Sequence, residues 1–149
     1  MKFQTHLAIS IFLALVLLPF VNNLIIFLLV VIITGFIPDI DSSRSYLGHR
    51  WYFRPIQWIT KHRGMLHSLS FCFFICFVFA LFIPVLALPF FLGYGGHLLA
   101  DSFTDEGITP FWPSKKRLEG NLKTGGMVED GIFICLCIVN VLLLFWFIY

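Results

Sequence analysis

The chain has 149 residues, 59% of them hydrophobic and only 12% charged, with a formal net charge of +2. Its mean hydropathy of +0.92 excludes an ordinary soluble domain. What remains is a chain whose main solvent is a bilayer, and no nucleic-acid partner is expected.

A spanning helix needs about 20 apolar residues. The first candidate run covers residues 5–21. It lacks a strongly basic start and a small-x-small cleavage site, so it reads as a retained span and not a cleaved signal. His6 lies in its first turn, and Thr5 is expected to cap it. Only Val21, Asn22 and Asn23 separate it from the next run, residues 24–37. That run is short, so it is expected to cross with little tilt.

Pro38 ends the second run, and Asp39 and Asp41 follow at once. Carboxylates at a helix C-terminus oppose the macrodipole, so a purely solvated role is disfavoured. In an extended segment, residues two apart point the same way. Both acids are then expected to face a common ion.

Residues 45–61 mix aromatics with arginine. Trp51, Tyr52, Phe53 and Trp58 suit the headgroup region, and Arg50 and Arg54 suit lipid phosphates. A short interfacial helix broken at Pro55 is expected, either a plain anchor or a lid. His62 and Arg63 follow, and then the third run, residues 65–83, with His67 just inside it. The planar fork of Arg63 is suited to a phosphate oxygen.

The fourth run, residues 85–104, contains GYGGHLLADS. The spacing of His97 and Asp101 puts both side chains on one helix face, one turn apart. Gly93, Gly95 and Gly96 allow close helix packing just before them. The fifth run, residues 128–148, opens with Glu129 and Asp130. Acids favour a helix N-terminus, yet Glu129 is also a candidate ligand. Cys72, Cys76, Cys135 and Cys137 fall inside apolar runs and lack the CxxC spacing of thiolate zinc sites. They are expected to pack or to face lipid.

Threading the five runs across a bilayer puts all ten Lys and Arg on one side. The positive-inside rule makes that side cytoplasmic and sends Tyr149 to the far side. The expected fold is therefore an all-α membrane protein. It has about five transmembrane helices, a short interfacial segment and a cytoplasmic N-terminus, in one domain over residues 1–149. The same cytoplasmic boundary collects His6, Asp39, Asp41, His67, His97 and Asp101, with Glu129 beside them. Ionisable groups near the bilayer are costly and mark functional sites.

Imidazoles and carboxylates without cysteine suit zinc first, with manganese or iron as alternatives. Several of them together could hold one or two ions. The ordered pieces TH, PDID, HRGMLHS, GGHLLADSFTDEGITPFWP and TGGMVE run through almost the whole chain. In that order they resemble the YdjM-type family of small inner-membrane proteins, described as metal-dependent hydrolases and in part as LexA-regulated. The order of His6, Asp39, His67, His97 and Asp101 is also similar to the ligand order of zinc-dependent phospholipase C. The later histidines of that pattern are absent here.

The resemblance implies a multi-pass protein of the cell inner membrane with a metal site at its cytoplasmic face. Residue chemistry and resemblance together lead to a membrane-embedded hydrolase acting on a lipid phosphoester at headgroup level. A metal-activated water would be its nucleophile, and His62 and Arg63 would be its catalytic helpers. Two other readings stand beside it: a non-catalytic metal-binding membrane or stress protein, and a divalent-metal transporter. The transporter reading needs polar residues through to the far side, and the spans offer few beyond Asn140.

Overall fold

The computed structural model describes residues 1–43, 45, 48–60 and 64–149. Its regular elements are helical. α1 covers Phe3–Leu17 and α2 Leu24–Thr34, followed by a 3-10 turn at Pro38–Asp41. The short α3 covers Arg54–Ile59, and a 3-10 turn at Met65–His67 precedes α4, Leu69–Phe82. α5 covers Pro84–Ser102 and α6 Met127–Ile148. Three stretches, Phe3–Phe20, Leu24–Asp41 and Met127–Ile148, are long and apolar enough to cross a membrane by length and composition. Leu69–Phe82 is apolar but shorter. It forms a hairpin with α5, turned at Ile83-Pro84, where proline starts α5. The expected all-α membrane architecture is the one observed.

α5 is the central element and packs against α1, α2 and α4, while α6 packs on α1. Glycine makes the α5 contacts close. A Cβ on Gly93 would collide with the Val31 carbonyl and the Thr34 hydroxyl of α2, and one on Gly96 would meet Leu13 of α1. Between lipid-solvated helices, such small-residue contacts let van der Waals packing hold the bundle. One buried cluster joins Cys72, Phe90, Tyr94, Leu98 and Ile108, and a second joins Ala14, Phe27 and Val31. The outer surface is apolar: Phe20, Ile25, Phe82, Trp146 and Ile148 are all strongly exposed. That is the surface a bilayer solvates, and water would not.

Four local features differ from expectation. His67 precedes α4 and is not inside it, because Ser68 caps the helix by accepting from Phe71 N at 3.2 Å. Asp39 and Asp41 lie in a 3-10 turn, not an extended segment, so their side chains diverge. Thr5 does not cap α1; its hydroxyl donates to Glu129 Oε1 at 3.0 Å. Pro55 stands at the second position of α3 and opens that helix without breaking it.

The starts of α1, α4 and α6 and the ends of α2 and α5 meet at one end of the bundle. Residues 103–126 roof this end. Ile108 exchanges both backbone hydrogen bonds with Leu118 at 2.9 Å, and Thr109 N donates to the His67 carbonyl at 3.2 Å. A topology reporter fused after Tyr149 is expected to be active only outside the cytoplasm. Activity of that fusion inside the cytoplasm would reverse the orientation assigned to the roofed end.

Candidate metal centre

His97 and Asp101 project from α5 as their four-residue spacing requires. His97 Nδ1 lies 2.7 Å from the Gly35 carbonyl at the end of α2. A carbonyl can only accept, so Nδ1 carries the proton and Nε2 is left with its lone pair. His67 repeats the arrangement from the turn before α4, with Nδ1 3.2 Å from Asp41 Oδ2. The carboxylate accepts there too, so the Nε2 of His67 also faces inward as an acceptor.

Both Nε2 atoms converge on carboxylates. His67 Nε2 is 3.7 Å and His97 Nε2 3.6 Å from Asp101 Oδ2. Asp39 Oδ1 lies 4.0 Å from the first and 3.8 Å from the second. His6 stacks on His97 with ring centroids 3.8 Å apart, and its Nε2 is 3.3 Å from Asp101 Oδ1. The His67 and His97 ring centroids are 5.6 Å apart.

Two groups therefore have ligand atoms within 4.8 Å of one another: His6, Asp39 and His97, and His67, His97 and Asp101. Among the described residues, neither ring nitrogen of His6 nor Nε2 of His97 makes a hydrogen bond, although all are buried. The Nε2 atoms of His67 and His97 and the oxygens of Asp39 and Asp101 all accept, and buried acceptors gathered around one point are costly unless a cation fills it. The donor set of imidazole nitrogen and carboxylate oxygen fits zinc or a similar divalent ion. His97 has only one nitrogen left, so the two groups describe overlapping views of one centre.

A profile of the YdjM inner membrane protein family matches residues 1–148. The chain belongs to this family. It is 37% identical over 119 residues to the inner membrane protein YdjM of Escherichia coli (strain K12), covering 72% of this chain and 60% of that one. The YdjM of Shigella flexneri gives the same figures. A Bacillus subtilis (strain 168) protein named Uncharacterized protein YvsG is 30% identical over 100 residues, covering 63% of this chain and 62% of its own. The chain spans about 60% of the length of the curated relatives it matches. No solved structure matches it. As a YdjM-family chain with several apolar helices, it is a multi-pass protein of the inner membrane.

Within this YdjM-family chain the structure brings together His6, Asp39, His67, His97 and Asp101. It places Asp41 behind His67, where it orients the ring without facing the centre. It places Glu129 in neither group. Glu129 Oε1 accepts from Lys2 N at 2.5 Å and Thr5 Oγ1 at 3.0 Å, and Oε2 from Gly125 N at 2.6 Å. Three donors occupy this carboxylate, so it acts as a brace that ties the start of α1 to the start of α6. Beside it, Lys2 Nζ meets Asp130 at 2.5 Å, and that hydrogen bond raises the lysine pKa above its ordinary value. His62 and Arg63 lie outside the described residues.

Two participants carried no sequence signal. The Gly35 carbonyl is a backbone group, and the Met1 amino nitrogen sits 2.7 Å from Asp101 Oδ1. That contact leaves Oδ2 of Asp101 for the centre. Asp41→Asn keeps a hydrogen-bond acceptor for His67 but removes the charge. It is expected to weaken zinc binding by about 10–100-fold, the usual cost of disturbing such an outer partner. Chelator competition in detergent measures this, and unchanged affinity would show that Asp41 does not tune His67.

Proposed function

We propose that this protein is a metal-dependent hydrolase of a lipid phosphoester, working at the cytoplasmic headgroup level of the inner membrane. The observation that carries the reading is the pair of imidazoles with their Nδ1 protons tied back. Their lone pairs meet the Asp39 and Asp101 carboxylates at the end of the bundle where the helix ends gather. A divalent ion held there would supply Lewis acidity and a water acidified toward neutral pH.

The chain's own groups have distinct tasks in this reading. His67, His97 and Asp101 Oδ2 would hold the ion, with His6 beside them from α1. Asp39, whose side chain is 20% exposed, is the most open of the set and marks where substrate enters. Asp41 and Gly35 keep the two rings from rotating. His62 and Arg63 precede the Gly64–His67 segment in sequence and are assigned to the phosphate oxygens and the leaving group. The apolar outer faces of the helices favour an amphiphile as substrate, since its phosphate rests at this depth without leaving the membrane.

A structural zinc site is normally closed by four ligands. Five ligand-type side chains with one open carboxylate favour a reactive centre over the non-catalytic reading. The test is a screen of phospholipids and polyprenyl phosphates with purified protein in detergent, with and without chelator. Phosphoester cleavage that chelator abolishes and zinc or manganese restores is expected. Absence of cleavage across both lipid classes by metal-loaded protein would contradict the reading.

A further inference from the structure

α2 and α4 both pack on α5, and between them lies a cavity of about 360 Å³. Its wall includes Ile33 and Ile37 from the α2 side, Ile75 and Phe79 from α4, and Leu86 and Tyr94 from α5. The hydroxyls at its edge are turned away: Thr34 donates to the Val30 carbonyl at 2.8 Å, and Tyr94 donates to the Leu66 carbonyl. The cleft is therefore apolar throughout. Ile33 is exposed and Ile75, Phe79 and Leu86 are half-buried, so it opens sideways toward the bilayer.

One end of the cleft meets the candidate centre. Tyr94 is one turn before His97 on α5, Thr34 adjoins Gly35, and Ile37 is two residues before Asp39. The other end lies at Leu86 and Phe79. From Leu86 to Tyr94 the cleft runs about 12 Å along α5, at roughly 1.5 Å per residue. That depth is close to one leaflet, half of a hydrocarbon core about 30 Å thick. An apolar slot of that length, lined by aliphatic and aromatic side chains and open at its side, matches one hydrocarbon chain.

We infer that this cleft seats one hydrocarbon chain of a membrane lipid whose headgroup reaches the His/Asp cluster. The inference rests on the lipid-phosphoester reading and deepens it. It makes the substrate a lipid extracted laterally from the cytoplasmic leaflet, recognised by one chain as well as by its phosphate.

The experiment uses phosphatidic acid carrying a diazirine near the end of one acyl chain, in nanodiscs with the full-length protein. Photolysis followed by peptide mapping is expected to concentrate adducts on α4 and α5 around Phe79 and Leu86. Ile75→Trp fills the cleft and is expected to cut these adducts by about tenfold or more, as lost chain burial predicts. Ile33→Trp, at an exposed rim position that does not endanger folding, is expected to reduce them in the same direction. Zinc content should stay unchanged in both.

Adducts spread evenly over the lipid-facing surfaces of α1 and α6, or unaffected by both tryptophans, would overturn the inference. So would a dimer whose partner occupies the cleft and excludes the probe. Because the readout is labelling, failure of hydrolysis with cleft labelling intact would remove the catalytic reading and leave the lipid seat standing. Hydrolysis without cleft labelling would do the reverse.

Discussion

Asp101→Ala is expected to leave the purified protein without its divalent ion and to lower metal-dependent turnover by on the order of 10³-fold or more, the loss of several kcal/mol of transition-state charge stabilisation. Asp101 is the hub of the cluster. Its Oδ2 faces both inward Nε2 atoms at 3.6 and 3.7 Å, and its Oδ1 faces His6 and the Met1 amino group. Alanine removes the negative charge that balances an ion among three neutral imidazoles. The helix itself should survive, because α5 is held by the Gly93 and Gly96 contacts and by the Tyr94 and Leu98 core. Metal analysis, helical content and turnover of the same preparation measure all three effects. A metal-free Asp101→Ala protein with wild-type turnover would make the ion structural and end the hydrolase assignment for this site.

Glu129→Ala should produce the opposite pattern, a large loss of stability with the ion retained. The Glu129 side chain is almost fully buried and satisfies Lys2 N, Thr5 Oγ1 and Gly125 N together. Hydrogen bonds to a charged group contribute about 1.5–3 kcal/mol each, and the stranded donors add a desolvation cost. Loss of about 3 kcal/mol or more is expected, a melting shift on the order of 10 °C. α6 should loosen most, since among the described residues its other polar ties include only one buried one, Asn140 Nδ2 to the Ala8 carbonyl at 3.0 Å, beside the exposed Lys2–Asp130 pair. Zinc stoichiometry should remain that of the wild type. Loss of the ion at unchanged stability would make Glu129 a ligand after all.

The contrast between these two acids shows what the sequence exposed. Ionisable residues inside apolar runs are so costly that His6, His67, His97 and Asp101 announced themselves by position alone. The one-sided charges placed them at a common membrane face, and the HxxxD spacing put two on one helix stripe. Glu129 was ambiguous because two of its three partners come from residues 2 and 5, at the far end of the sequence, and no local pattern encodes such a meeting. Asp41 looked equivalent to Asp39 only while the segment was taken as extended. The 3-10 turn after Pro38 separates them, sending one toward the centre and the other behind His67. The apolar runs gave the helices, but their limits depended on caps: Ser68 moved the start of α4 past His67. Backbone participants such as the Gly35 carbonyl have no residue signature. The apolar cleft is a property of how α2 and α4 sit on α5, which composition does not specify.

His67, His97 and Asp101, with His6 and Asp39, are expected to hold a single divalent ion through nitrogen and oxygen. X-ray absorption at the zinc edge, on protein loaded with one equivalent of zinc, tests it most directly. A first shell of nitrogen and oxygen at about 2.0–2.1 Å with imidazole outer scattering is expected, and a double His67→Ala, His97→Ala variant should fail to retain the ion. A sulfur shell at about 2.3 Å, or an unchanged zinc spectrum in the double variant, would show that the ion is bound elsewhere.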